Sequence, residues 1–318
     1  MSTISTDFDV IIIGGGPGGL SAAAWCAELS LKAAIFEKKT ELGGQLLNTF
    51  NPIKNYLGVD AANGRELRDI FLQQLANIDV RRETGAEIVA AHLASKTVTL
   101  ANGSHHSAKA IIIATGVRRK ELGVPGANEF LGRGILESGV KNKDEVKGKI
   151  VVIVGGGDAA LENALSLSDV AKKIFVVHRN GEFKARKEFV ERANTIANIK
   201  FLFDAQVSAI TGDNEVVSVE LQNLKSGTRS KLAVAAVLVR IGVMPNTELF
   251  ARQTALDESG YIKIDSRCLT NLDGIYAVGD VANPVSPTSS SAVGMGATAA
   301  KAISQNLKDR PFRVTKIV

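Results

Sequence analysis

The stretch Asp9-Val10-Ile11-Ile12-Ile13-Gly14-Gly15-Gly16-Pro17-Gly18-Gly19-Leu20 decides how this chain folds. Its apolar run at 10–13 is of the kind that makes a strand covered on both faces. The run stops at G-x-G-x-x-G, with glycines at Gly14, Gly16 and Gly19. An alanine-rich helix is expected over 20–29, and a second apolar run at 33–36 ends in Glu37, 18 residues after Gly19. Strand, glycine turn, helix, strand and terminal acid make up a dinucleotide-binding unit. The glycines allow a tight turn and close approach of backbone to a pyrophosphate. The helix N-terminus offers N–H groups to the anion, and Glu37 can accept hydrogen bonds from a ribose.

The same design recurs about 141 residues on. A strand is expected at 150–154, followed by Gly155-Gly156-Gly157-Asp158-Ala159-Ala160, which reads G-x-G-x-x-A at Gly155, Gly157 and Ala160. A helix to about 167 and a strand at 173–177 follow. This second strand ends in His178-Arg179-Asn180 rather than in an acid, with Lys184, Arg186 and Lys187 just beyond. An acid favours a free 2′-hydroxyl, whereas arginine and lysine accommodate a 2′-phosphate, so the local chemistry points to NADP.

Between and after these units the pattern predicts a helix over 64–78, a hairpin of strands at 86–94 and 97–100, and a strand at 110–113 ending in Ala114-Thr115-Gly116. Further strands are expected at 233–241, 260–264 and 274–280. The last ends in Gly279-Asp280, at the strand end where cofactors of open α/β sheets bind. A helix entered through Ser289-Ser290-Ser291 should start near Ala292 and run to about 307, aiming its positive dipole end at a bound ring system.

With 318 residues, 45% hydrophobic and 22% charged, the chain can build two domains with their own cores. No apolar run is long enough to span a bilayer. The first seven residues lack the regions of a signal peptide, which predicts a cytoplasmic protein. The net charge of +5 is carried by scattered residues, so nucleic-acid binding finds no support. Two cysteines, Cys26 and Cys268, are too few for a metal site, and no C-x-x-C is present.

These motifs resemble the two-dinucleotide flavoproteins, and their low-molecular-weight thioredoxin reductase branch in particular. The resemblance rests on Gly14 to Gly19, Glu37, Gly43-Gly44-Gln45, Asn55-Tyr56, Ala114-Thr115-Gly116, Gly155 to Ala160, His178-Arg179, Pro245-Asn246 and Gly279-Asp280. It implies an α/β fold of two Rossmann-like domains. The FAD domain would be discontinuous, at 1–117 and 246–318, with an NAD(P)-type domain at 118–245 inserted in it. On this likeness FAD is held by Gly14, Gly16, Pro17, Gly18 and Gly19, by Glu37 and Lys38, and by Gly44, Gln45, Leu46 and Asn55. The later strand ends add Ala114, Thr115, Gly116, Gly279, Asp280 and Ala292. The middle nucleotide falls to Gly155, Gly157, Asp158, Ala159 and Ala160, then His178, Arg179 and Lys184. That nucleotide is NADPH, or another adenine nucleotide such as a second FAD. The likeness also implies a homodimer.

Two departures bear on function. Counted from Gly134 to Gly155, the family's redox cysteines fall on Ser138 and Lys141, neither of which can form a disulfide. The family's H-R-R-x-x-x-R pattern has Asn180 and Lys184 here, which keeps charge but weakens bidentate phosphate recognition. Residues 140–149 are similar to the corresponding region of thioredoxin-reductase-like ferredoxin/flavodoxin–NADP reductases, which also lack the dithiol. Those enzymes carry a C-terminal extension whose aromatic ring covers the flavin; past the last helix this chain has Phe312. The leading expectation is an FAD-dependent oxidoreductase passing electrons between NADPH and a small acidic protein carrier, ferredoxin or flavodoxin, with no catalytic side chain. The alternatives are an atypical disulfide oxidoreductase and a flavin sensor without turnover.

Overall fold

The computed structural model describes residues 6–308, so Phe312 and most of the amino-terminal heptapeptide lie outside it. The chain separates into two compact units, one made of residues up to 118 with those from 244 onward, the other of residues 119–243.

The first unit opens with β1 (Phe8–Ile13), α1 (Pro17–Glu28) and β2 (Ala33–Glu37). α1 starts three residues before the apolar pattern suggests, because Pro17 has a fixed φ and no N–H to leave unpaired, which suits a first helical position. α2 (Gly64–Gln74) is capped by Asn63, which accepts the Glu66 N–H at 3.1 Å, while Glu66 reaches back to the Ala62 N–H at 2.6 Å. β3 (Arg81–Thr84), β4 (Ile88–His92), β5 (Thr97–Leu100) and β6 (His105–Ile113) follow. The sheet order is β3-β2-β1-β6-β5-β4, parallel through β6 and antiparallel in the β4–β5–β6 excursion. Successive residues of β1 face opposite ways: Val10 and Ile12 join a core with α1, and Ile11 and Ile13 join a second core with Phe36, Leu93 and Phe250.

A short strand, β7 (Val117–Arg119), leads into the second unit. There β8 (Ile135–Leu136), β9 (Ile150–Val154), α3 (Asp158–Leu167), β10 (Lys173–Val177), α4 (Lys187–Thr195) and β11 (Ile199–Leu202) precede an antiparallel sheet of β12 (Ala205–Gly212), β13 (Val216–Asn223) and β14 (Arg229–Ala233). β15 (Ala236–Val239) then completes a parallel sheet of order β11-β10-β9-β15-β8. The strand expected over 233–241 is therefore shorter, because the chain changes sheets at 234–235. β16 (Val243–Pro245) pairs with β7 as the chain returns.

Back in the first unit, β17 (Ile275–Ala277) pairs with the far half of β6, whose nine residues serve β5 at one end and β17 at the other. α5 (Ser289–Lys308) starts three residues before Ala292. No strand forms at 260–264. Ile262 is buried, makes only an isolated bridge to Leu256 and donates its N–H to Val281 at 3.0 Å, so its alternation reflects loop packing.

Candidate cofactor and nucleotide sites

In the first unit the strand order turns back at β1, with β2 on one side and β6 on the other, and a dinucleotide lies outside the strand ends at such a point. Gly14 has φ +108°, and a Cβ there would overlap the Ala114 carbonyl across that switch. A Cβ on Gly19 would overlap the Gly14 carbonyl oxygen, so the third glycine lets α1 close on β1. Gly43 donates to the Gly15 carbonyl at 2.8 Å, and Gly44 sits against the Cα of Gly16, which lays the Gly43-Gly44-Gln45-Leu46 segment on the turn. Glu37 is buried at the end of β2, and its two oxygens accept the N–H groups of Gly15 at 2.8 Å and Lys39 at 2.9 Å. A carboxylate has about four acceptor positions, so two remain for a ribose.

Around α1 the structure also gathers Gly18, Gly279 and Ala292. A Cβ on Gly18 would come 3.2 Å from Val278 and 3.3 Å from the Ala292 carbonyl, and one on Gly279 would come 3.4 Å from Ala292. Asp280 follows Gly279 half-buried; burial pushes its carboxyl above the usual carboxylate range, and the carboxylate accepts no hydrogen bond among the described residues. A half-buried carboxylate with no donor among the described residues fits the hydroxyl-rich ribityl chain of a flavin nucleotide. Thr115 turns out to lock the chain crossing: it donates to the Asn246 carbonyl at 2.8 Å, and Asn246 donates back at 2.7 Å. Gly116 accepts the Asn246 N–H at 3.0 Å, and Gln45 donates to the Val117 carbonyl. Lys38 and Asn55 are exposed on their loops, while Leu46 is buried and Pro17 starts α1. Leu42, which fills the space over Gly15, carried no sequence signal beyond its apolarity.

The second unit repeats the arrangement with different chemistry. Its order turns back at β9, between β10 and β15. A Cβ on Gly155 would overlap the Arg240 carbonyl, and one on Gly156 would enter the His178 ring. That ring is buried and stacks on Phe183 at 5.6 Å. Burial, with help from the nearby Arg179 and Lys184 cations, holds the imidazole below its ordinary pKa, and its Nε2 is buried without a partner among the described residues. Lys184 donates its N–H to the Gly156 carbonyl at 2.8 Å, which fixes the basic loop beside the glycine turn. Asp158, at the start of α3, is engaged by Arg186, accepting its N–H at 2.7 Å and its Nε at 2.8 Å. Arg186 is thereby taken up, whereas Arg179 and Lys184 are exposed and make no ion pair among the described residues. Gly157 has nothing near its Cα on the Cβ side, Ala159 is exposed and Ala160 is buried.

Ser138 and Lys141 fall in a turn held by two asparagines. Asn142 accepts the N–H groups of Glu137 and Ser138, each at 3.0 Å, and Asn163 of α3 accepts that of Gly139 at 2.8 Å. Lys141 is ion-paired with Glu137. Both cysteines lie in the core of the first unit, where burial pushes Cys26 up to about 12 and Cys268 to about 11. Neither is a thiolate near neutral pH.

The chain that carries these two glycine crevices matches a single family model, pyridine nucleotide-disulphide oxidoreductase, over residues 8–304. The chain belongs to that family. It is 37% identical over 301 residues to a thioredoxin reductase of Streptomyces coelicolor, covering 92% of this chain and 91% of the relative. It is also 30% identical to a 34.2 kDa protein in the rubredoxin operon of Clostridium pasteurianum, over 92% of this chain and 94% of that one. Among solved structures, Lactococcus lactis thioredoxin reductase in its FR conformation superposes with a TM-score of 0.84 at 31% identity, covering 94% of this chain and 98% of the other. T. acidophilum thioredoxin reductase gives 0.82 at 30%, covering 96% and 100%. As a thioredoxin reductase-like member of the family, the protein is an FAD-dependent NAD(P)H oxidoreductase with two Rossmann-type units, and the family's cofactors are FAD and NADPH. None of the helices among the described residues is long and apolar enough to cross a membrane.

Proposed function

We propose that this oxidoreductase carries electrons from NADPH to a small acidic one-electron protein, a ferredoxin or flavodoxin, without a protein dithiol. The observation that carries the reading is the turn at 137–142. Where the branch's dithiol would stand are a serine whose N–H is held by Asn142 and a lysine ion-paired with Glu137, and the two cysteines are buried and protonated elsewhere. In this reading the unit of residues up to 118 and from 244 is the FAD domain, and 119–243 is the NADPH domain. The protein is a cytoplasmic homodimer.

The residues then act by binding and positioning. Gly14 to Gly19 and the N-terminus of α1 receive the FAD pyrophosphate, Glu37 the adenosine ribose, and Asp280 accepts from a ribityl hydroxyl. Bound FAD supplies the redox chemistry, accepting a hydride in one step and releasing electrons singly. In the second unit Arg179 and Lys184 take the 2′-phosphate. His178, neutral and packed between Gly156 and Phe183, keeps the glycine turn and the basic loop in register. No side chain need give or take a proton in hydride transfer itself; the fold's contribution is placement.

The test is anaerobic NADPH oxidation with ferredoxin, flavodoxin or thioredoxin as acceptor. Turnover is expected with one of the first two and not with thioredoxin. Thioredoxin reduction at about 10 per second, an ordinary enzymatic rate, would sink the reading.

A further inference from the structure

The half of the second unit's crevice that lies on the β15 side carries charge the family motifs do not account for. Val239 of β15 is in register with Val154 of β9, so Arg240, the next residue, emerges beside the glycine turn and packs its carbonyl against Gly155. Arg240 Nη2 donates to the Glu137 carbonyl at 2.9 Å, and Arg119 Nη1 donates to the same oxygen at 2.7 Å. Two guanidinium groups thus converge on one neutral acceptor. Arg240 is half-buried, and burial together with Arg119 lowers it to about 10, so it remains a cation at neutral pH. The facing acids are Glu137, ion-paired with Lys141, and Glu162, which leaves three cations against two anions.

A dinucleotide lying across this switch point puts its adenosine half by the end of β10, where Arg179 and Lys184 stand, and its other half by the end of β15. In NADPH that other half carries a neutral dihydronicotinamide. Giving up a hydride, a proton with its electron pair, to the flavin turns it into a nicotinamide cation. We propose that Arg119 and Arg240 make this half of the crevice a cationic subsite that holds neutral dihydronicotinamide better than the nicotinamide cation, so that NADP+ leaves readily once the hydride has gone. This rests on the reading that the crevice takes NADPH.

The probes are NADP+, the neutral non-reducing tetrahydro analogue of NADPH, and adenosine 2′,5′-bisphosphate, which reaches only the adenosine half. Each is titrated calorimetrically into oxidised holoenzyme at fixed ionic strength. Wild type should bind the analogue about tenfold or more tightly than NADP+, a size expected of like charges several ångströms apart in a partly screened site. Arg240→Gln should remove most of that ratio and Arg119→Gln a smaller part, while Arg240→Lys keeps it and the bisphosphate binds all variants alike. Equal affinities in wild type, or a ratio unmoved by Arg240→Gln, would overturn the proposal while leaving the NADPH reading intact. A parallel loss of all three ligands in Arg240→Gln would also overturn it, because the arginine would then act through the fold. If wild type binds none of the three, both the NADPH reading and the subsite fall.

Discussion

The two glycine crevices share a backbone and differ in charge. In each, the first glycine abuts the carbonyl of the residue that follows the neighbouring strand, Ala114 in one unit and Arg240 in the other. The first crevice then presents acids, Glu37 pinned by two backbone N–H groups and Asp280 half-buried, its carboxylate accepting no hydrogen bond among the described residues. The second presents cations, with His178 kept neutral among them. In the proposed reading the shared geometry receives a dinucleotide, and the groups at the strand ends select which one. A glycine motif read alone could not separate the two sites.

The two crevices differ most at the third motif position. Gly19→Ala forces a Cβ into the Gly14 carbonyl, and about 3 kcal/mol or more of stability should be lost along with the flavin. The equivalent Ala160→Gly should cost only about 1 kcal/mol, the usual helix penalty. Thermal unfolding and the flavin-to-protein absorbance ratio measure both. Equal effects would mean that the third position is no tighter in the first turn than in the second.

Glu37→Lys comes next. It removes the ribose acceptor and leaves the Gly15 and Lys39 N–H groups facing a cation, so purified protein should lose most of its flavin. Full retention would place FAD elsewhere.

Asp280→Asn should give opposite responses. Its folded carboxyl titrates above the ordinary 3.8, so the charged form costs the apoprotein stability as pH rises past that value. Apoprotein carrying asparagine should therefore melt higher at pH 7 than wild type, yet bind FAD more weakly. A lower melting temperature would show the carboxylate to be stabilising.

The smallest effect belongs to His178. Its folded pKa lies below the ordinary 6.5, so the unfolded chain takes up the proton first, and stability present above about pH 6.5 is lost as pH falls through that value. His178→Gln should flatten the melting temperature between pH 7.5 and 5.5, and an unchanged slope would refute the assignment.

Much of this was legible in the sequence because glycine spacing and unbroken apolar strands are local signals. β9 and β10 fall where the pattern put them, as do the turn glycines, Glu37 and the basic loop. Position 262 was misleading because a buried loop can alternate as a strand does. The antiparallel sheet at 205–233 went unread, since its strands are half-exposed and its pairing carries register shifts. Arg186 counted as one more basic residue until the structure tied it to Asp158, and Arg119 and Arg240 are 121 positions apart in sequence, so only the fold brings them to one oxygen.

The most direct test of the central claim is anaerobic stopped-flow reduction of the bound flavin by NADPH and by NADH, in wild type and Arg179→Ala. Rapid bleaching near 450 nm by NADPH is expected, with slower bleaching by NADH and a preference that shrinks in Arg179→Ala, because charge-assisted bonds to the 2′-phosphate are worth about 1.5–3 kcal/mol each. Flavin that neither nucleotide reduces within minutes would contradict it: the middle crevice would then not be a working pyridine-nucleotide site.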